Sequence, residues 1–101
     1  MEDGIKKYMV EFDVPVPFPE DLELMISDQR LAVHELFLSE KLLTYTLSLD
    51  RTKIWAIFLA QSESELLYAI DTLPMTGYMN YNYVELMFHE TVQHIPSMSL
   101  N

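Results

Sequence analysis

The segment Ile54-Trp55-Ala56-Ile57-Phe58-Leu59-Ala60 decides the fold, because it is an unbroken apolar run with polar residues on either side. Such a short run, bounded by turn signals, is typical of a strand that is covered on both faces. Directly after it, Ser62-Glu63-Ser64-Glu65 places a glutamate three positions after a serine, which is the spacing of a capping box at a helix start. The sequence therefore predicts a central strand followed by a helix that Pro74 ends.

The segments around this strand alternate between strand and helix patterns. Apolar and polar residues alternate with period two over residues 5–14, 43–49 and 81–89, which predicts three further strands, with the one at 43–49 lying at an edge of the sheet. Apolar residues at spacings of three and four predict one continuous helix over residues 20–41. Three prolines in Val14-Pro15-Val16-Pro17-Phe18-Pro19 predict an extended connector before it, because proline has no backbone donor.

The predicted order is strand, helix, strand, strand, helix, strand, which is the split βαβ pattern of ferredoxin-like domains. The fold class is therefore expected to be α+β, with a βαββαβ antiparallel sheet, central first and third strands, and both helices on one face. A chain of 101 residues has room for a single domain. We expect its core over residues 5–90 and a C-terminal arm over residues 91–101.

The apolar third strand also predicts an assembly. Its outward residues would face water in a monomer, and they are one of two sets: Trp55, Ile57 and Leu59, or Ile54, Ala56 and Phe58. Burying ~400 Å² of such surface is worth roughly 10 kcal/mol before association costs, at ~25 cal/mol per Å². We therefore expect a homodimer, or a higher homo-oligomer, that forms through the sheet face opposite the helices.

Composition narrows the partners and the location of the protein. Six Lys and Arg against sixteen Asp and Glu give a net charge of −10, which repels nucleic acid. The first residues lack the signal-peptide pattern, and no run reaches the ~18 apolar residues of a membrane span, so a cytoplasmic protein without membrane contact is expected. The chain has no cysteine, which excludes thiolate chemistry. The expected partners are a second copy of the chain and a small organic molecule.

The second half of the chain carries a resemblance to a known family. Leu73-Pro74, Tyr78-Met79, Leu86 and a His89 ten residues after the methionine resemble muconolactone isomerases, small oligomeric ferredoxin-like enzymes of aromatic catabolism. These enzymes shift a double bond in a carboxylated lactone. The resemblance covers residues 5–90 and implies an isomerase that moves a proton in a small lactone or enol. The alternative is a non-catalytic relative that binds a small molecule or only oligomerises.

Two departures from the family pattern keep both alternatives open. The family has an Asp-Glu-Lys stretch on its first helix where this chain has Asp28-Gln29-Arg30, and an amide has no proton to exchange. The basic residues around the family's second strand are replaced by Thr44, Thr46 and Ser48. A substrate carboxylate would therefore be held less well at that strand.

Three residues are the candidates for acid–base chemistry. His89 and Asp28 could accept protons, and Arg30 could pair with an anionic substrate. The competing interpretation of His89 is a strand-end histidine bonded to a backbone carbonyl. Asp28 and Arg30 could instead be ordinary neighbours on an exposed helix face.

Five residues are the candidates for the substrate pocket: Gln29, Tyr45, Trp55, Tyr78 and Tyr83. The aromatic members could enclose a flat lactone or aromatic ring. Packing in the core or at an interface is the alternative for these side chains.

Carboxylates in the predicted strands and the three histidines are candidates for other sites. Glu11, Asp13 and Glu85 lie in predicted strands, and if Glu11 and Glu85 share a face, their repulsion would raise one pKa. Otherwise they point toward the open sheet edge or pair with a cation across an oligomer contact. The three histidines, His34, His89 and His94, lack metal-ligand spacing, and there is no glycine-rich phosphate loop, so no metal and no cofactor are predicted.

Overall fold

Four antiparallel strands and three α-helices make up residues 4–90, the part of the chain that the computed structural model describes. The elements are β1 (Lys6–Asp13), α1 (Glu20–Leu24), α2 (Ile26–Leu38), β2 (Leu42–Leu47), β3 (Lys53–Ala60), α3 (Glu63–Asp71), a 3-10 helix (Pro74–Tyr78) and β4 (Asn80–Leu86). The predicted arm over residues 91–101 lies outside the described residues. None of the helices within residues 4–90 is long and apolar enough to cross a bilayer.

The sheet has the strand order β2-β3-β1-β4, with every neighbouring pair antiparallel. The predicted α+β class is therefore confirmed, and the arrangement is compatible with a ferredoxin-like fold. β1 and β3 are central and β2 is an edge strand, as the sequence predicted. The pairing of β2 with β3 is interrupted by a bulge between Leu42 and Thr44.

One face of the sheet forms the core with the helices. The core is built from every second residue of β1 and β3 together with the inner sides of α2 and α3: Tyr8, Val10, Phe12, Ile54, Ala56, Phe58, Val33, Leu36, Leu66 and Ile70. Burying each large apolar side chain contributes about 1.5–3 kcal/mol. Of the two sets considered for the outward face of β3, Trp55, Ile57 and Leu59 are therefore the ones that point away from the core. The expectation that all of them face water is wrong for Ile57, which is only 3% exposed.

The helix predicted over residues 20–41 is wrong as a single element, because the chain breaks it at Met25. The Met25 amide donates to the carbonyl of Leu22, three residues back, at 3.0 Å, which tightens the last turn of α1. α2 then ends at Leu38. Glu40 has a φ of 61° in the left-handed region, and the Lys41 amide bonds back to the Leu36 carbonyl at 2.9 Å, a Schellman end.

Two strand predictions also need correction. The alternation over residues 43–49 predicts that Leu47 and Leu49 lie on the apolar, buried side of the second strand. They are instead 51% and 101% exposed, because β2 ends at Leu47 and the chain turns back toward β3. The last strand ends at Leu86 instead of reaching His89. Leu86 pairs with Lys7, and β1 has only one further residue beyond that position.

The predicted start of α3 is confirmed in detail. The Glu65 amide donates to Ser62 Oγ at 3.1 Å, and Glu65 Oε1 accepts from the amide of Gln61 at 2.6 Å. These bonds satisfy amides that have no partner within the helix. The cap thereby places Leu66 and Ile70 in the core, where neither is exposed.

Candidate small-molecule site

A cavity of about 560 Å³ lies between the proline-rich connector, α2, β2 and the 3-10 helix. Its volume is within the ~300–1,000 Å³ that is usual for small-molecule sites. Most of its wall is aliphatic or methionine, from residues that include Val14, Val16, Leu47, Ile54, Met75 and Met79. An apolar organic group can therefore be enclosed here.

Gln29 is the polar centre of this cavity. It lies on the buried side of α2 and is only 4% exposed. Its Nε2 donates to the hydroxyl of Tyr45 at 2.9 Å, and its Oε1 accepts from the backbone amide of Met75 at 3.0 Å. Met75 follows Pro74 in the first turn of the 3-10 helix, where backbone amides lack partners within the helix. One side chain therefore ties α2 to both β2 and the 3-10 helix.

The hydroxyl of Tyr45 is the second polar group of the cavity wall. Burial raises the pKa of Tyr45 above its usual value, and the hydrogen bond from Gln29 opposes this only in part. The phenol is therefore neutral at physiological pH. Because it accepts from Gln29, its own hydrogen is left to donate to a carbonyl or carboxylate oxygen of a ligand.

Four charged residues stand among the cavity-lining residues: Glu23, Arg30, Asp50 and Arg51. Asp50 Oδ1 accepts from Ser48 Oγ at 2.7 Å and from the amide and hydroxyl of Thr52 at 3.0 and 2.8 Å. These hydrogen bonds, led by that of Ser48, lower the pKa of Asp50. The carboxylate of Asp50 therefore holds the β2–β3 turn together.

This turn places Arg51 in an unusual backbone conformation. Arg51 has a φ of 65°, in the left-handed region where a side chain costs roughly 1–2 kcal/mol. A residue held in such a conformation beside a cavity is a candidate for a functional role.

Arg51→Gly is expected to leave the fold as stable as it is or to raise its free energy of unfolding by up to about 1 kcal/mol. Glycine adopts the left-handed region without a Cβ clash, although it adds freedom to the unfolded chain. Urea denaturation followed by circular dichroism measures the change. Arg30→Gly, in the helical interior of α2, is the control, and it should cost about 1 kcal/mol. A clear loss of stability in Arg51→Gly would show that the arginine side chain itself stabilises the turn.

The structure brings three of the predicted site residues to the cavity: Gln29, Arg30 and Tyr45. Asp28 is exposed on α2 and is not part of the cavity lining. His89 follows the end of β4, and its Nε2 is buried with no hydrogen-bond partner among residues 4–90. The proton-transfer roles of Asp28 and His89 stay predictions.

The other three aromatic candidates lie away from the cavity. Trp55 is on the outward face of β3, and Tyr78 is 43% exposed on the 3-10 helix. Tyr83 is on β4 and donates its hydroxyl to Glu63 at 3.0 Å. Sequence reasoning missed Arg51, Met75 and Met79. Arg51 left a signal, since it is one of only two arginines in an acidic chain. Met79 belongs to the run that carries the family resemblance, but that run did not indicate a pocket, and Met75 left no signal.

The idea that Glu11 and Glu85 share a face is wrong. Glu11 is paired with Asn82, whereas Glu85 is paired with the core residue Tyr8 and therefore points to the opposite side. A hydrogen bond from Trp55 Nε1 at 3.0 Å, followed by the nearby Lys53, lowers the pKa of Glu11.

The cation that pairs with the β1 carboxylates belongs to the same chain. Lys53 Nζ lies 3.1 Å from Glu11 Oε2 and also contacts Asp13. These pairs are exposed, so each contributes little to stability. In the described part of the chain, no group of three or more His, Asp or Glu side chains is placed to hold a metal ion.

No protein-family model matches the chain, and no curated protein matches it.

Proposed function

We propose that this protein binds a small organic molecule in the cavity between α2, β2 and the 3-10 helix. The hydrogen-bonded pair of Gln29 and Tyr45 supports this most directly. It sets a neutral phenol donor into a wall that is otherwise mostly apolar, and a few fixed polar groups in an apolar cavity are the usual make-up of a ligand site. The amide and the phenol would orient an oxygen of the ligand while the aliphatic wall encloses its body.

The binding form of the proposal is favoured over the isomerase form. An isomerase needs a group that takes and returns a proton beside the reacting carbon. Gln29 stands where the resemblance would place the acid, and its amide cannot do this. Asp28 and His89, the other candidates, do not belong to the cavity lining.

The position of Gln29 nevertheless suits a carboxyl group. A glutamate there could accept from the Met75 amide with one oxygen and from the Tyr45 hydroxyl with the other, so both contacts would persist. Burial would raise the pKa of that carboxyl toward the range that proton transfer requires. The isomerase alternative can therefore be tested by a single substitution.

Wild-type protein is expected to bind small lactones without converting them, and Gln29→Glu is expected to gain measurable lactone isomerisation. Binding is measured by calorimetry, and turnover of muconolactone is followed by absorbance and by NMR. Gln61→Glu makes the same change at an exposed residue before α3 and should gain nothing.

Two results would change the proposal. Turnover by the wild type that falls ~10²–10⁴-fold in His89→Ala, the usual worth of an acid–base group, would establish the isomerase form instead. No binding of any small lactone or organic acid by the wild type would overturn the cavity proposal as a whole.

We also propose that two copies pair through the open face of the sheet. The open face is defined here as the side opposite the helices, with Met9, Glu11, Trp55, Ile57, Val84 and Leu86. Val84 is 60% exposed and Trp55 is 37% exposed, so these two side chains offer apolar surface to a partner, whereas Ile57 is already buried in the protomer. The face also carries the Lys53 cluster with its paired carboxylates, which suits the mixed apolar and polar composition of interfaces.

A further inference from the structure

We infer that the ligand of the cavity is an aliphatic carboxylic acid, with its carboxylate on Arg30 and Arg51 and its chain against Met75 and Met79. This inference rests on the proposed function of the same cavity and names the class of molecule that it takes. Two independent features carry it: the distribution of positive charge and the composition of the wall.

Two of the six cationic side chains of the chain, both of them arginines, line the cavity. The protein carries −10 overall and has only two arginines, Arg30 on α2 and Arg51 in the β2–β3 turn. Both line this one cavity. A guanidinium binds a carboxylate through two parallel hydrogen bonds, which makes arginine the preferred partner for such a group.

Neither arginine is neutralised by an ion pair within the described part of the chain, where the ion pairs are those of Lys53. Asp50, the carboxylate next to Arg51, is engaged by Ser48 and Thr52. Glu23 is the other carboxylate among the lining residues, so the charged side chains of the lining sum to zero, whereas the chain as a whole carries −10. The surrounding acidic surface would repel any anion that these arginines do not hold.

The wall favours a flexible chain over a flat ring. Only Phe18 and Tyr45 among the lining residues are aromatic, and the side chains of Trp55, Tyr78 and Tyr83 do not join them. Methionine side chains adapt to irregular apolar groups and do not impose a planar slot.

The apolar wall continues to the surface of the protein. Val16 and Leu47 both line the cavity, and they are 75% and 51% exposed. The cavity could therefore hold an aliphatic chain that extends from its interior to its mouth. This apolar wall is longer than a small lactone needs.

The test compares decanoate with decanol by calorimetry, at concentrations below those at which decanoate aggregates. Decanoate is expected to bind at least about tenfold more tightly, because a hydrogen bond between two charged groups is stronger than one to a neutral hydroxyl. The tighter binding of decanoate relative to decanol should disappear in the Arg30→Gln, Arg51→Gln double variant. Lys41→Gln removes an exposed positive charge that does not line the cavity and should keep the preference.

The methionine methyl groups report where the acid binds. Selective ¹³C labelling should show shifts for Met75 and Met79 on adding decanoate, while Met9 on the open face and the exposed Met87 stay unchanged. Met75 and Met79 would then mark the position of the alkyl chain of decanoate.

Several outcomes would overturn the inference, and they separate it from the proposed function. Equal affinity for decanol, or binding of muconolactone without binding of decanoate, would contradict an aliphatic acid and leave the cavity proposal standing. Shifts at Met9 or Met87 in place of Met75 and Met79 would place the acid elsewhere and overturn the inference. Absence of binding by decanoate, decanol and small lactones alike would overturn both.

Discussion

Replacing Gln29 by methionine is expected to lower the free energy of unfolding by about 2–4 kcal/mol. The substitution keeps the length of the side chain but removes both of its hydrogen bonds, leaving the Met75 amide and the Tyr45 hydroxyl without their partner. Each buried polar group that loses its partner costs about 1–3 kcal/mol. In a domain of this size the midpoint of thermal unfolding should fall by roughly 10–30 °C.

The matched control is Gln61→Met, in the exposed segment before α3. It makes the same chemical change where the structure records a hydrogen bond only for the backbone amide of Gln61. Its effect should stay within about 0.5 kcal/mol, as for other exposed positions. Equal stability of the two variants, measured by urea and thermal denaturation, would show that the Gln29 bridge does not stabilise the fold.

Replacing Val84 by glutamate is expected to raise the dissociation constant of the proposed dimer by at least about 100-fold, or 2.7 kcal/mol. Val84 lies on the open face and is 60% exposed, so the isolated protomer should tolerate the change. In a two-fold dimer each copy would bring an unpaired carboxylate into the interface, and such groups cost several kcal/mol. Light scattering after size exclusion, and sedimentation at micromolar concentration, measure the shift.

Val16→Glu is the control for this experiment. It adds the same charge at a residue that is 75% exposed on the proline-rich connector, away from the open face, and should leave the dimer intact. A wild-type protein that runs as a monomer of 11.9 kDa would contradict the assembly. Dissociation by Val16→Glu but not by Val84→Glu would place the interface at the connector.

The elements that the sequence predicted well are those that local patterns determine. The capping box at Ser62 depends on residues within four positions of each other. The central position of β3 follows from its apolar run. The break at Met25 was missed because the spacing of apolar residues continues across it. A local change from i→i−4 to i→i−3 backbone hydrogen bonds does not alter that spacing.

The cavity was only partly predictable, because it joins residues that are far apart in the chain. Gln29 bonds to Tyr45, 16 residues away, and to Met75, 46 residues away. One clue was present in the sequence. Gln29 interrupts the apolar stripe that includes Met25 and Val33, and a polar side chain in such a stripe needs a buried partner. The partner itself depends on tertiary packing that periodicity does not encode.

The bulge between Leu42 and Thr44 protects one edge of the sheet against aggregation. An edge strand presents unpaired backbone groups that can recruit a strand from another molecule and extend the sheet. A bulge bends and twists such a strand, and β2 is also short, with six residues, so a regular partner would find little to pair with. β4, the strand at the other edge, pairs with β1 without such an interruption and is therefore more open to pairing with a strand of another molecule. The exposed charge of Glu85 on β4 discourages this pairing.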